Sequence, residues 1–138
     1  MSDPIFPGNA GHSLTAGDLM VPPEMREALA FVHRIGGDEL IAKVVTLFRT
    51  SSEERLVALR RALAVEDRPA VRRLAHALKG SAAQVGAEGL RSAAASVEAA
   101  AGELSLDALA AQVEALAGLT AVARELLEQE KGRAGSPA

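Results

Sequence analysis

The chain has 138 residues, which suits one compact domain and is too short for a nucleotide-binding kinase lobe together with a substrate lobe. Its 49% hydrophobic and 24% charged residues are those of a globular protein, and 2% aromatics amid abundant Ala, Leu, Glu and Arg favour helix over sheet. A net charge of −3 without a basic, aromatic-interleaved block argues against nucleic acid as a partner, and the lack of cysteine excludes disulfides, thiolate metal sites and a Cys nucleophile.

The opening stretch MSDPIFPGNAGHS has no basic segment followed by an apolar run, and no segment offers the roughly 18 uninterrupted apolar residues of a spanning helix. The expectation is a cytoplasmic protein without a membrane segment. Residues 1–20, broken by Pro4, Pro7, Gly8, Gly11 and Gly17, read as an extended arm. Pro22 and Pro23 then lead into Met25, Leu29 and Val32 at helical spacing, and Gly36 and Gly37 end this short first helix.

Asp38 is positioned to cap a long second helix reaching about residue 65, with Leu40, Val44, Leu47, Phe48, Ala58, Leu59 and Ala62 along one face. Ser51 and Arg55 interrupt that stripe and leave room for a bend between Thr50 and Ser52. After the turn, Asp67 caps a third helix from Arg68 to Val85 that tolerates Pro69 in its first turn, buries Val71, Leu74, Ala75, Leu78, Ala82 and Val85, and stops at Gly86.

A fourth helix over residues 87–101 shows Leu90, Ala93, Ala94, Val97, Ala101 and Leu104 at three- and four-residue steps, with enough alanine for close backbone approach, and Gly102 closes it. Ser105 caps the last helix, Asp107 suits its first turn, and Leu109, Val113, Leu116, Thr120, Ala123 and Leu127 form its stripe. Residues 131–138 read as a disordered tail. Short connections make neighbouring helices antiparallel, so the expected fold over residues 21–130 is all-α: an up-down antiparallel four-helix bundle with a short additional N-terminal helix, functioning as a monomer.

The chemistry concentrates on the third helix. With about 100° per residue and Val71 as origin, the apolar residues lie within roughly 60° of zero, whereas His76 falls near 140° and faces solvent. Arg72 near 100°, Lys79 near 80°, Ala83 near 120° and Gly80 near 180° surround it on the exposed side, while Ser81 near 280° lies at the edge of the apolar face as a structural hydrogen-bonder.

A neutral imidazole nitrogen is a nucleophile towards phosphorus, and a lysine one turn away can neutralise charge on the oxygens of a transferring phosphoryl group. Glycine within a helix costs about 1 kcal/mol relative to alanine, so Gly80 on an exposed face asks for a reason, and close approach by a partner supplies one. Ala83 likewise leaves room. An exposed histidine by itself is usually a surface residue, and His33, on the flank of the first helix, and His12, in the arm, are read that way.

The string His76-Ala-Leu-Lys79-Gly80-Ser81-Ala-Ala-Gln-Val-Gly86-Ala87, preceded by Leu74-Ala75, resembles the phosphoacceptor motif of histidine-containing phosphotransfer (HPt) domains of two-component phosphorelays. The resemblance covers roughly residues 38–127 and includes Phe48, Leu59, Leu63 and Asp67 of the preceding helix and turn. It implies that His76 accepts a phosphoryl group from an aspartyl-phosphate of a response-regulator receiver domain and returns it to another, in a pathway fed by a sensor or hybrid histidine kinase. It further implies that Lys79 assists at the phosphoryl group, that Gly80 permits docking, and that the receiver supplies the acidic pocket and Mg²⁺, so that the chain itself needs no cofactor or metal.

In keeping with a covalent carrier rather than a kinase, the chain has no GxxxxGK phosphate loop with which to draw on ATP. Arg72, with Glu53, Glu54, Arg60, Arg61 and Arg73, belongs either to a solvated face or to a receiver-docking rim. Two other functions compete. In one, residues 109–127 pair with a partner helix in an adaptor or dimerisation protein and His76 is idle. In the other, His76 serves a metal or acid-base enzyme, a reading disfavoured because no His or Glu stands at i+3 or i+4 to it.

Overall fold

The computed structural model describes residues 20–134, and among these the secondary structure is four helices without a strand: α1 Pro23–Ala64, α2 Arg68–Gln84, α3 Glu88–Ala100 and α4 Leu106–Ala134. The arm expected over residues 1–20 lies outside the described residues except for Met20. At the other end α4 passes the expected limit of the bundle at residue 130 by one helical turn, and residues 135–138 lie outside the described part.

The short first helix and the long second one run together as the 42 residues of α1, broken only where Gly37 takes φ 67° and ψ −159°. Such a conformation favours glycine, which lacks the Cβ that would clash there. Pro22 and Pro23 open α1, where a missing backbone N–H leaves nothing unsatisfied. Asp38, just past the break, pairs with His33 Nε2 at 3.1 Å across it.

The helix continues through Thr50–Ser52 without a bend. Thr50 Oγ1 donates to the Thr46 carbonyl at 3.0 Å and Ser52 Oγ to that of Arg49 at 3.2 Å, so both hydroxyls are satisfied inside the helix. The buried face runs through Ile41, Val45, Phe48, Ser52, Leu56, Leu59 and Ala62, whereas Leu40, Val44 and Ala58 are half-buried and Leu47 is 66% exposed. Phe48, Leu59 and Ala62 are thus buried as expected, whereas over residues 40–47 the expected face was displaced by about one residue. Apolar side chains stand both at 40, 44, 47 and at 41, 45, 48, and spacing alone does not choose between two such rows.

The other elements follow their local signals. Asp67 Oδ1 accepts from the Ala70 amide at 3.1 Å and caps α2, and Ser105 Oγ accepts from the Ala108 amide at 3.1 Å at the start of α4. Arg68, at the start of α2, donates to the carbonyls of Ala101 at 3.0 Å and Leu104 at 2.7 Å, closing the end of α3 with a cation where the helix dipole favours one.

Around the bundle α1 packs against α2 and α4, and α3 against α2 and α4. Val71, Ala75, Leu78 and Ala82 of α2 meet Leu90, Ala94, Val97 and Ala101 in one core, all essentially without exposure. All six residues of the α4 stripe, Leu109 to Leu127, are buried as well. Leu106–Arg133 has the length and composition of a helix able to cross a membrane, yet this stripe is committed to the bundle, and Glu114, Arg124, Glu125 and Glu128 interrupt the rest.

On the surface, Arg60 grips Glu114 through two bonds of 2.8 and 2.9 Å, and Arg124 meets Glu53 at 2.6 Å, both joining α1 to α4. Exposed pairs of this kind are worth about 0–1 kcal/mol, whereas truncating a fully buried leucine such as Leu78 costs roughly 2–5 kcal/mol. The apolar faces, not the ion pairs, set where the helices lie.

Gly86 joins α2 to α3 at φ 72°, and a Cβ there would stand 2.6 Å from the Glu24 carbonyl carbon and 2.8 Å from Met25 Cα. The backbone of α1 thus rests directly on this glycine. Gly86→Ala is expected to lower the unfolding free energy by at least roughly 1–3 kcal/mol, through both the strained φ and the displaced α1 backbone, as measured by urea denaturation.

Candidate functional site

The site arises from the way α2 divides its circumference. Its buried face holds it against the core, and the residues a third of a turn away must then face outward: Arg72, His76, Gly80 and Ala83 are exposed and Lys79 is half-buried. Ser81, at the seam with α1, accepts a hydrogen bond from Arg55 Nη1 at 2.5 Å, which explains why an arginine interrupts the α1 stripe. His33 lies at the break in α1, on a different part of the surface, and His12 is outside the described residues.

What the helical wheel of α2 does not contain is a carboxylate, and the bundle brings one from α3. Glu98 Oε2 lies 2.8 Å from His76 Nδ1, and Glu98 Oε1 accepts from Lys79 Nζ at 2.7 Å. One carboxylate thereby spans two side chains one turn apart. The His76 side chain remains 66% exposed, against 24% for Glu98, so the ring stands up from the surface while its partner sits lower in the seam.

Arg72 Nη1 donates to the Glu98 backbone carbonyl at 3.3 Å, so its guanidinium helps hold the segment that carries the carboxylate while staying on the exposed face. The Lys79 ammonium and then the His76 ring hold the Glu98 carboxyl below the usual carboxylate range by hydrogen bonding to its charged form.

Sequence reasoning placed His76, Lys79, Gly80, Ala83 and Arg72 on one face, and the structure brings those five together. It missed Glu98. The objection that no acidic residue accompanies His76 at i+3 or i+4 held only along α2, because the partner stands 22 residues further on, across a helix seam. The one available signal was that Glu98 follows Val97 of the α3 core face and so sits at its edge.

Gly80 and Ala83 leave the surface beyond His76 flat, and a Cβ added at Gly80 would meet nothing within 4 Å. The fold itself therefore does not demand a glycine there. From Ala83 the surface falls into a groove of about 750 Å³ between the two arms of α1 and the end of α2, lined by Phe31, Val32, Val44, Leu47 and Phe48. Glu24, Glu27 and Glu88 also line it.

The site is thus His76 raised into solvent beside Lys79, on a face left flat by glycine and alanine. A family model described as the Hpt domain matches residues 43–133. Among solved structures, the crystal structure of histidine-containing phosphotransfer protein B (HptB) from Pseudomonas aeruginosa PAO1 matches with a TM-score of 0.70 and 32% identity, over 78% of this chain and 92% of that one. No curated protein sequence gives a significant match. The chain belongs to the histidine-containing phosphotransfer family: it is a phosphotransfer carrier of two-component phosphorelays, working with histidine kinases and response regulators.

The low Glu98 carboxyl makes stability at this seam depend on pH with a defined sign. A carboxyl held below its unfolded value of 4.5 stabilises the fold fully above that pH, and the contribution is lost as pH falls through the lower folded value. Glu98→Gln should therefore be less stable than wild type at neutral pH, with the difference vanishing on acidification through the carboxylate range, as followed by thermal melts.

Proposed function

We propose that His76 is the residue that carries the phosphoryl group, taking it from an aspartyl-phosphate of one receiver domain and passing it to the aspartate of another. The single observation behind this is a nucleophilic side chain, 66% exposed, on a helix otherwise locked into the core, with a lysine ammonium one turn away. Lys79 leaves Glu98 to meet the phosphoryl oxygens as they arrive, neutralising charge that grows in transfer.

Docking takes place across Arg72, Gly80 and Ala83. Support comes from Gly80: a side chain would fit there sterically and would favour the helix, so an advantage outside the fold accounts for its absence. The groove beside Ala83 continues the same face, where a receiver seated over His76 would find apolar surface. In this reading the receiver brings the acidic pocket and its Mg²⁺, and the carrier supplies neither metal, cofactor nor ATP site. We further propose that the chain works as a cytoplasmic monomer, as suits a carrier that must present one face to successive partners.

The adaptor alternative required the α4 stripe to meet a partner helix, and those six residues are already buried inside the bundle. It has no remaining support.

Mixing the purified protein with a panel of phosphorylated receiver domains should add one acid-labile phosphoryl group by mass to wild type and none to His76→Gln. Lys79→Ala should still accept, with transfer slowed on the order of tenfold or more. An adduct that persists in His76→Gln would place the carrier elsewhere.

Two changes at one position separate folding from docking. Gly80→Ala should raise stability by about 0.5–1 kcal/mol in urea denaturation, because the helix gains propensity without a clash. Gly80→Glu should leave helix content unchanged by circular dichroism while blocking transfer, through bulk and negative charge on the docking face.

A further inference from the structure

The groove beside Ala83 carries its polar groups in a fixed order that the carrier chemistry does not use. Its walls are apolar, and two of them, Phe31 and Leu47, are more than half exposed. At the end nearer His76 stands the half-buried Arg55, with Ser51 one turn away on the same helix and Ser81 across the seam. At the far end, where the Glu24 carbonyl rests against Gly86, stand the exposed carboxylates of Glu24 and, one turn on, Glu27.

We propose that this order selects the receiver: the favoured partner lays an apolar element in the groove, sets a carboxylate on Arg55 at the end nearer His76, and sets lysine or arginine on Glu24 and Glu27 at the far end. This rests on the reading of the chain as a carrier that docks receivers on the face around His76.

Neither end is neutralised by the fold. Arg55 gives one donor to Ser81 Oγ and forms no ion pair among the described residues, so most of its five N–H groups are open to an incoming acceptor. Glu24 and Glu27 likewise meet no cation among the described residues, whereas Glu53, Glu98, Glu114 and Glu128 each hold an arginine or a lysine. Glu88, also on the rim, is already met by Arg91 at 2.8 Å. Arg34 lies over the Phe31 ring at 5.7 Å from its centre and does not line the groove.

The groove is continuous with the face that carries the histidine. Ser81 and Gly86 follow His76 by five and ten residues, about 7–8 and 15 Å along the axis of α2. A receiver that brings its aspartate to His76 and extends along α2 therefore meets Arg55 first, the apolar walls next and the carboxylates last. Apolar burial supplies affinity without regard to which receiver provides it. Unpaired charges at the rim reject like charge and speed the approach of unlike charge, so they discriminate. Opposite signs at the two ends also fix direction, because a receiver docked end for end would set its carboxylate against Glu24 and Glu27.

The test measures affinity and transfer for a panel of receiver domains, half with basic and half with acidic side chains at the far rim of the apolar surface beside the phosphorylatable aspartate. Wild type should favour the basic set on the order of tenfold or more in Kd and in transfer rate, with the preference shrinking as salt is raised. The double variant Glu24→Lys, Glu27→Lys should reverse the order, and Glu24→Gln, Glu27→Gln should abolish it, after circular dichroism has verified that each is folded. A lysine-to-glutamate exchange on a basic receiver should restore its binding to the lysine variant. Arg55→Gln should weaken receivers with a carboxylate at the near end and leave the others unchanged.

The same ranking in wild type and both double variants, or equal weakening towards every receiver without rescue, would overturn the proposal. So would amide signals of Phe31 and Leu47 that shift on dilution of the chain and not on adding a receiver, which would give the groove to a second copy. Binding needs no phosphoryl group, so Kd decides the groove independently of His76. Wild type that binds receivers but takes a phosphoryl group neither from them nor from phosphoramidate would overturn the carrier reading alone.

Discussion

The structure depends above all on the close packing of α2 against α3. Both helices bring alanines to the core, Ala75 and Ala82 from one and Ala94 and Ala101 beside the other, each with essentially no exposure. Small side chains let helix backbones approach, and only at such approach can a glutamate side chain cross the seam to bond two residues of the neighbour. The same packing turns His76 outward. Burial of Val71 and Leu78, each worth roughly 1.5–3 kcal/mol, outweighs the polar contacts of the exposed face, so the orientation of the imidazole is a by-product of core formation.

A stripe of donors runs along the α2 side of that seam. Arg68 bonds the end of α3, Arg72 the Glu98 carbonyl, and Lys79 and His76 the Glu98 carboxylate. The stripe moves from backbone carbonyls to a side-chain carboxylate, and so from the end of α3 to the exposed ring of His76. Arg72 stands between the two: it lies on the face read for docking and also braces the segment behind Glu98.

The surface around the histidine is open rather than enclosed. The ring is exposed while Glu98 holds its Nδ1, its neighbours on the outer side are Arg72, Gly80 and Ala83, and the groove lies to one side of the ring rather than around it. Openness at His76 is joined to rigidity beneath it. The Gly86 turn supplies some of that rigidity, because the backbone of α1 sits against it and braces the end of α2.

Most of the fold could be read from local signals, because each had its cause within a few residues. Asp67 and Ser105 cap where their side chains reach an amide three residues on, Gly37 breaks α1 because it alone there takes a positive φ without penalty, and the α4 stripe and, save for half-buried Leu74, the α2 stripe are buried as their spacing requires. In α1 the buried row was read correctly at Phe48, Leu59 and Ala62 but misjudged over residues 40–47, since two adjacent apolar rows fit one periodicity there and only the arrangement of α2 and α4 around the helix selects one. The hydroxyls of Thr50 and Ser52, which read as a weak point, satisfy themselves within the helix. By itself, then, the sequence determined the helices, the exposed face of α2 and the group of His76, Lys79 and Gly80 upon it, because 3.6-residue periodicity is a local property of the chain. Only the tertiary structure decided that Glu98 belongs to that group, because the angle and distance at which two helices cross are set by the whole core and leave no trace in spacing along either one.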